Sequence, residues 1–173
     1  MRYYFILTLC LSFMTENIFE NKLGEKIHTI SFMGDLKNEI DSNTYIINTP
    51  RIKFLDKRIK TIIISTESDK TIKQFYLIFN KKLEVSTYEK MKKVYGDSYK
   101  VFLNTKIDSI SSHSERVQND FQEEITQESS ILKQGNLYDL NINNIIWNKS
   151  SFLMILLNNS YEDRTEIYFK KIK

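Results

Sequence analysis

Two histidines, His28 and His113, are the only side chains in this 173-residue chain whose ordinary pKa lies near neutrality. A serine or threonine nucleophile needs such a base beside it. His113 stands in Ser111-Ser112-His113-Ser114-Glu115, where hydroxyls, an imidazole and a carboxylate fall within five positions. With Glu115 and Asp120 the same imidazole also has the ligand types of a weak cation site. The surrounding residues 105 to 136 are polar, however, and a productive geometry needs rigid apolar support that such a segment does not supply. His28 lies in KIHTISFM, beside no motif.

Other chemistries are no better represented. There is no H-E-x-x-H, no pair of cysteines and no D-x-D-x-D-G loop, so the spacings that hold zinc or calcium are missing. Gly24, Gly34, Gly96 and Gly135 are isolated, and no glycine-rich turn can cradle a phosphate. Among 22 carboxylates, Glu123-Glu124 included, nothing singles out a glycosidase pair. The sequence therefore assigns no catalytic, cofactor-binding or metal-ligating residue, and no cofactor is expected.

The formal charge of +3 is spread among interleaved acids and bases, which excludes the basic footprint of a nucleic-acid partner. Lys90, Lys92 and Lys93 form the tightest basic cluster. They fall late in an expected helix, where cations favour the dipole, and read as a solvated face rather than a phosphate site. Alanine is absent and there is one proline, against ten tyrosines and eleven phenylalanines. Those are residues of AT-rich codons, so the tyrosine count by itself is no sign of a binding surface.

Residues 1 to 15, MRYYFILTLCLSFMT, set Arg2 before an apolar run from Tyr3 to Met14 and then change abruptly to the polar TENIFENK. That order is the pattern of a secretory signal peptide. The run is shorter than the roughly 20 residues a spanning helix needs, so no membrane span is expected in the mature chain. Lipidation at Cys10 is the lesser alternative, because Leu9 is too large for the position before a lipidated cysteine; a buried first strand is another. Cleavage would leave no cysteine and so neither disulfide nor thiol nucleophile.

No linker or repeat divides residues 16 to 173, which read as a single domain rich in strands. Lys26 to Met33 and Thr44 to Asn48 are expected strands, separated by the polar GDLKNEIDSN, with Pro50 at a bend. Arg58 to Thr66 and Thr71 to Phe79 form the strongest hairpin signal, joined by Glu67-Ser68-Asp69-Lys70. In its second strand Phe75, Leu77 and Phe79 alternate with Tyr76 and Ile78, so both faces are apolar and cover on both sides is expected. Ser86-Thr87-Tyr88-Glu89 has the form of a capping box opening a helix over 86 to 95. Tyr88, Met91, Val94 and Tyr95 share its apolar face, Glu89 is positioned to pair with Lys93, and Gly96 supplies the stop.

Residues 99 to 104 return to a strand. The polar excursion 105 to 136 follows, with Val117, Phe121 and Ile125 at four-residue spacing supporting a marginal helix over 114 to 127. Asn143 to Asn148, Ser151 to Leu157 and Thr165 to Lys171 complete a three-stranded meander, with FLMILL central because an edge strand apolar on both faces would aggregate. The expected fold is α+β, a mostly antiparallel sheet with one helix on a face. The expected function is an exported, non-enzymatic domain that binds another protein or an envelope component, through its sheet or its polar excursion. The alternatives are a small hydrolase whose site is assembled only in the fold, or an inhibitor or immunity-type protein.

Overall fold

The computed structural model describes residues 18–38, 41–106, 130–159 and 161–172. The signal-like segment, Cys10, His113, Glu115, Asp120 and the expected helix over 114 to 127 lie outside the described residues. Strands alternate with few helices, as the apolar alternation requires. The order is α1 (Ile18–Lys22), a 3-10 helix (Ile27–Met33), β1 (Lys37–Asn38), β2 (Thr44–Asn48), β3 (Lys53–Phe54), β4 (Lys57–Arg58), β5 (Thr61–Thr66) and β6 (Ile72–Ile78). Then come α2 (Val85–Tyr95), β7 (Tyr99–Lys106), β8 (Ser130–Gly135), β9 (Ile142–Asn148), β10 (Phe152–Asn159) and β11 (Arg164–Lys171).

Nine strands make one sheet in the order β1-β2-β5-β6-β11-β10-β9-β7-β8, and every neighbouring pair is antiparallel. The fold is α+β as expected. β10, which contains FLMILL, sits between β9 and β11, and its two apolar faces are both inside the sheet rather than at an edge.

Two cross-strand rows line the first face. Ile47, Ile62, Leu77, Ile167, Leu156, Ile145 and Val101 form one; Tyr45, Ile64, Phe75, Phe169, Met154, Trp147 and Tyr99 form the other. All but Tyr45 and Tyr99 are buried, and those two pack against the core. The helices close over these rows. Phe19 of α1 enters an aromatic cluster, 5.3 Å from Phe75 and 5.6 Å from Phe169 between ring centroids. Tyr95 of α2 meets Phe169 and Phe152, while Tyr88 reaches a polar group at the end of the sheet. There Asn158 Nδ2 donates to the Tyr88 hydroxyl and to the Ile142 carbonyl, both at 3.0 Å. Thr165 Oγ1 donates to Asn158 Oδ1 at 2.7 Å and accepts from the Leu83 amide.

Five local expectations are corrected. Residues 26 to 33 are not a strand: Ile27, Ile30 and Met33 recur every three residues, the period of a 3-10 helix, and Ile30 and Met33 are buried by it. Gly34 follows because a Cβ there would lie 2.6 Å from Ile47 Cγ2. The capping box does not form. α2 begins one residue earlier, with Glu84 as its extended cap and no side-chain cap bond, and the Ser86 hydroxyl turns to the Glu84 carboxylate at 3.3 Å. Glu89 accepts from the Tyr138 hydroxyl at 3.3 Å instead of pairing with Lys93. The excursion is shorter than 105 to 136, since β7 runs on to Lys106 and Ser130–Gly135 pairs with it as an edge strand. Arg58 belongs to a small hairpin of its own, β3 with β4, turning through Leu55 and Asp56 at φ 46° and 68°.

Candidate functional site

Of the two histidines, His28 lies among the described residues. His28 is exposed on the 3-10 helix, not on a strand, and no described nucleophile or carboxylate bonds to it. Among the described residues no three histidine, cysteine or acidic side chains converge as metal ligands. The basic cluster is occupied at two of its three positions: Lys90 pairs with Asp56 and Lys92 with Asp97, each at 2.9 Å. Those partners neutralise the charge a phosphate would need.

The residues that stand out chemically are on the second face of the sheet. Because strand side chains alternate, the partners of the buried rows generate a second set of rows pointing the other way. The central one is Ile46, Ile63, Tyr76, Tyr168, Ile155 and Ile146, in register across six adjacent strands and ending at Lys100. Beside it runs Asn48, Thr61, Ile78, Glu166, Leu157, Asn144 and Phe102. On its other side runs Thr44, Ser65, Gln74, Lys170, Leu153 and Asn148. Each apolar residue of these rows is half-buried. All three helices turn their buried side chains to the first face, so among the described residues the second face carries no helix. Of the cover expected on both sides, the described residues supply one side.

At the centre of this face the rings of Tyr76 and Tyr168 stack, 4.3 Å apart and 12° from parallel. Glu166, diagonal to them, is 7% exposed, a depth at which a carboxylate needs partners. Arg164, two residues away on the same strand and so on the same face, supplies them. Its Nε and Nη2 both lie 2.7 Å from Glu166 Oε1, and its Nη1 pairs with Glu162. Burial, and then hydrogen bonds to Glu166 and Tyr168, push the Tyr76 phenol far above its ordinary pKa. Tyr76 is thereby held protonated beside a fixed carboxylate.

The buried carboxylate Glu166 is committed to Arg164, and around this pair the face offers outward isoleucine, leucine and tyrosine. Near the β7 end two carboxamide oxygens, Asn104 Oδ1 and Asn144 Oδ1, are buried without a hydrogen-bond partner. By contrast the apolar residues that protrude most, Leu140 and Tyr161, are single residues on turns, the ordinary scatter of a protein surface.

Sequence reasoning found half of this face. The alternation at Tyr76 and Ile78, and the doubly apolar FLMILL, both signalled a sheet apolar on each side. It did not find the row, because a row exists only once the register is known. Glu166 and Arg164 carried no signal beyond the TEIYFKK alternation, in which Glu166 occupies the same parity as Tyr168. No protein-family model, curated protein or solved structure matches this chain.

Proposed function

We propose that this chain is a non-enzymatic binding domain that engages a protein partner through the second face of its sheet, and that it is exported. The observation that carries the binding role is the unbroken apolar row from Ile46 to Ile146, flanked on each side by a row in which polar residues predominate but Ile78, Leu157 and Leu153 extend the apolar surface. Contiguous apolar surface rimmed by polar groups is characteristic of interaction sites, whereas isolated apolar residues are not. Export is supported by Arg2, the short apolar run and the polar switch after Thr15.

Site-specific photo-crosslinking in the native host tests the binding role. A photoreactive residue at position 155, on the row, is expected to give a discrete protein adduct, while one at exposed position 67, on the β5–β6 turn, gives none. Equal labelling at both positions, or no adduct at 155, overturns it. Intact-mass measurement tests export: loss of about 12 to 20 residues is expected. Recovery of the full chain from the cytosol overturns that part alone.

A further inference from the structure

We infer that the partner on this face is a second copy of the same chain, packed sheet against sheet about a two-fold axis that runs along the Ile46–Ile146 row. The inference rests on the binding reading above and goes further by naming the occupant. In a two-fold interface every surface patch must accept itself. A row lying on the axis places each residue against its own counterpart, so isoleucine meets isoleucine and tyrosine meets tyrosine. The same operation lays the row on one side of the axis over the row on the other. Leu153 then faces Leu157, Ser65 faces Thr61, and Asn148 faces Asn144, pairs alike in size and polarity.

The charges at the centre match as well, while Lys100 and, beyond Ile46, Lys37 continue the row and meet their own counterparts only at its exposed ends. Lys170 lies on one side of the axis and Glu166 on the other, both on β11. Glu162, Arg164 and Glu166 together are two carboxylates and one guanidinium, net −1, and the operation brings the single cation Lys170 of one copy over that trio in the other. The rotation reverses the strand direction, which leaves the two sets of strands aligned, the commoner way for sheets to pack, about 10 Å apart. Six strands about 4.8 Å apart and three rows about 7 Å apart span roughly 24 Å by 14 Å. That plan area of about 340 Å² is below the roughly 800 Å² per partner of a standard interface, so the pair belongs with the weak, concentration-dependent ones.

A face of half-buried side chains also suits a protein better than a bilayer. Membrane-surface binding sinks apolar groups about 5–10 Å into the lipid, whereas every apolar residue of these rows is half-buried among its neighbours.

Sedimentation of the chain at about 50 µM, with Ile155→Lys, Ile155→Glu and Lys170→Glu, tests the inference. The unaltered chain is expected at twice its chain mass. Each Ile155 variant alone sets like charges together on the axis and is expected as a monomer, and an equimolar mixture of the two re-forms a dimer. That rescue cannot come from a chain that failed to fold. Lys170→Glu, at an exposed flank, is expected to weaken dimerisation at least tenfold with an unchanged circular dichroism spectrum. A dimer indifferent to the Ile155 changes overturns the assignment to this face. An unaltered chain that is monomeric, with Tyr76 and Tyr168 open to carbene labelling, overturns the second copy and leaves the binding reading standing. A monomer whose two tyrosines are protected overturns both, since the chain would then cover the face itself.

Discussion

Asn158 and Tyr88 meet across 70 positions of sequence, with the carboxamide nitrogen 3.0 Å from the phenol oxygen, and this contact fixes α2 to the end of the sheet. It is part of a buried group in which Asn158 also serves Ile142 and Thr165. Unequal costs follow for its members. Tyr88→Phe removes one hydroxyl and leaves Asn158 its other bonds, at about 1 kcal/mol. Asn158→Ala strands the Ile142 carbonyl and the Thr165 and Tyr88 hydroxyls in a dry site, at roughly 2–4 kcal/mol. Urea unfolding of both variants checks the order; equal costs would show that Asn158 is not the hub.

How far the fold was legible depended on whether a signal was local. The hairpin over Thr61–Thr66 and Ile72–Ile78, and the Gly96 stop at φ 79°, are written in adjacent residues and could be read directly. The 3-10 helix was written just as locally, in Ile27, Ile30 and Met33, but a three-residue period over seven residues is easily taken for a β-rich run. Edge strand β8 was hidden because an edge needs only a backbone partner, and SILKQG offers little apolar alternation. The turn through Leu55 and Asp56 gave no warning at all, since non-glycine residues at positive φ are disfavoured there. On the second face, Glu166 acquires meaning only from Arg164, Tyr76 and a register set by three strands.

Phe19 should be the weak point of α1. A five-residue helix has no stability of its own, so this one is held by tertiary contact. Phe19, 1% exposed, supplies it through Phe54, Phe75 and Phe169. Phe19→Ala is expected to cost about 3–5 kcal/mol. Hydrogen exchange should show residues 18 to 22 opening well before the strands; if they stay protected in the variant, the anchor lies elsewhere.

Acid stability should carry two opposed contributions. The Asp69 carboxylate is held by Lys26 Nζ at 2.9 Å, and also by the Thr71 hydroxyl and amide, which draw its pKa down to about 2. A depressed folded pKa gives stability that is present above the unfolded value near 3.8 and lost as the pH falls toward 2. Glu20 has the opposite sign. Burial raises its pKa above 4.5, against a smaller pull from Lys149, and its Oε2 is buried without a partner. Its neutral form favours the fold, and that contribution is lost as the pH rises through the raised value. Asp69→Asn should therefore flatten the acid limb of a stability profile, and Glu20→Gln should leave the protein at least as stable at neutral pH. A Glu20→Gln variant less stable at pH 7 would show that the carboxylate is satisfied after all.

Trp147 offers a reporter that separates local opening from global unfolding. It is fully buried between β10 and β7, with its rings near Tyr95 and Tyr99, and its indole Nε1 donates to the Gly96 carbonyl at 3.1 Å. That bond ties the end of α2 to the middle of the sheet, so the indole should sense the helix stop as well as the core. Its emission is expected to stay blue-shifted until the sheet itself unfolds, and to move in step with far-ultraviolet circular dichroism. Gly96→Ala separates backbone strain from crowding. The nearest atom to an added Cβ is the flexible Lys149 Nζ at 3.5 Å, so no clash arises, and the cost is the backbone conformation at φ 79° and ψ −176°, open essentially to glycine alone, about 1–3 kcal/mol. The variant should unfold at lower urea with the same emission maximum in its native state. A red-shifted native spectrum would show instead that the helix stop had moved and released the indole.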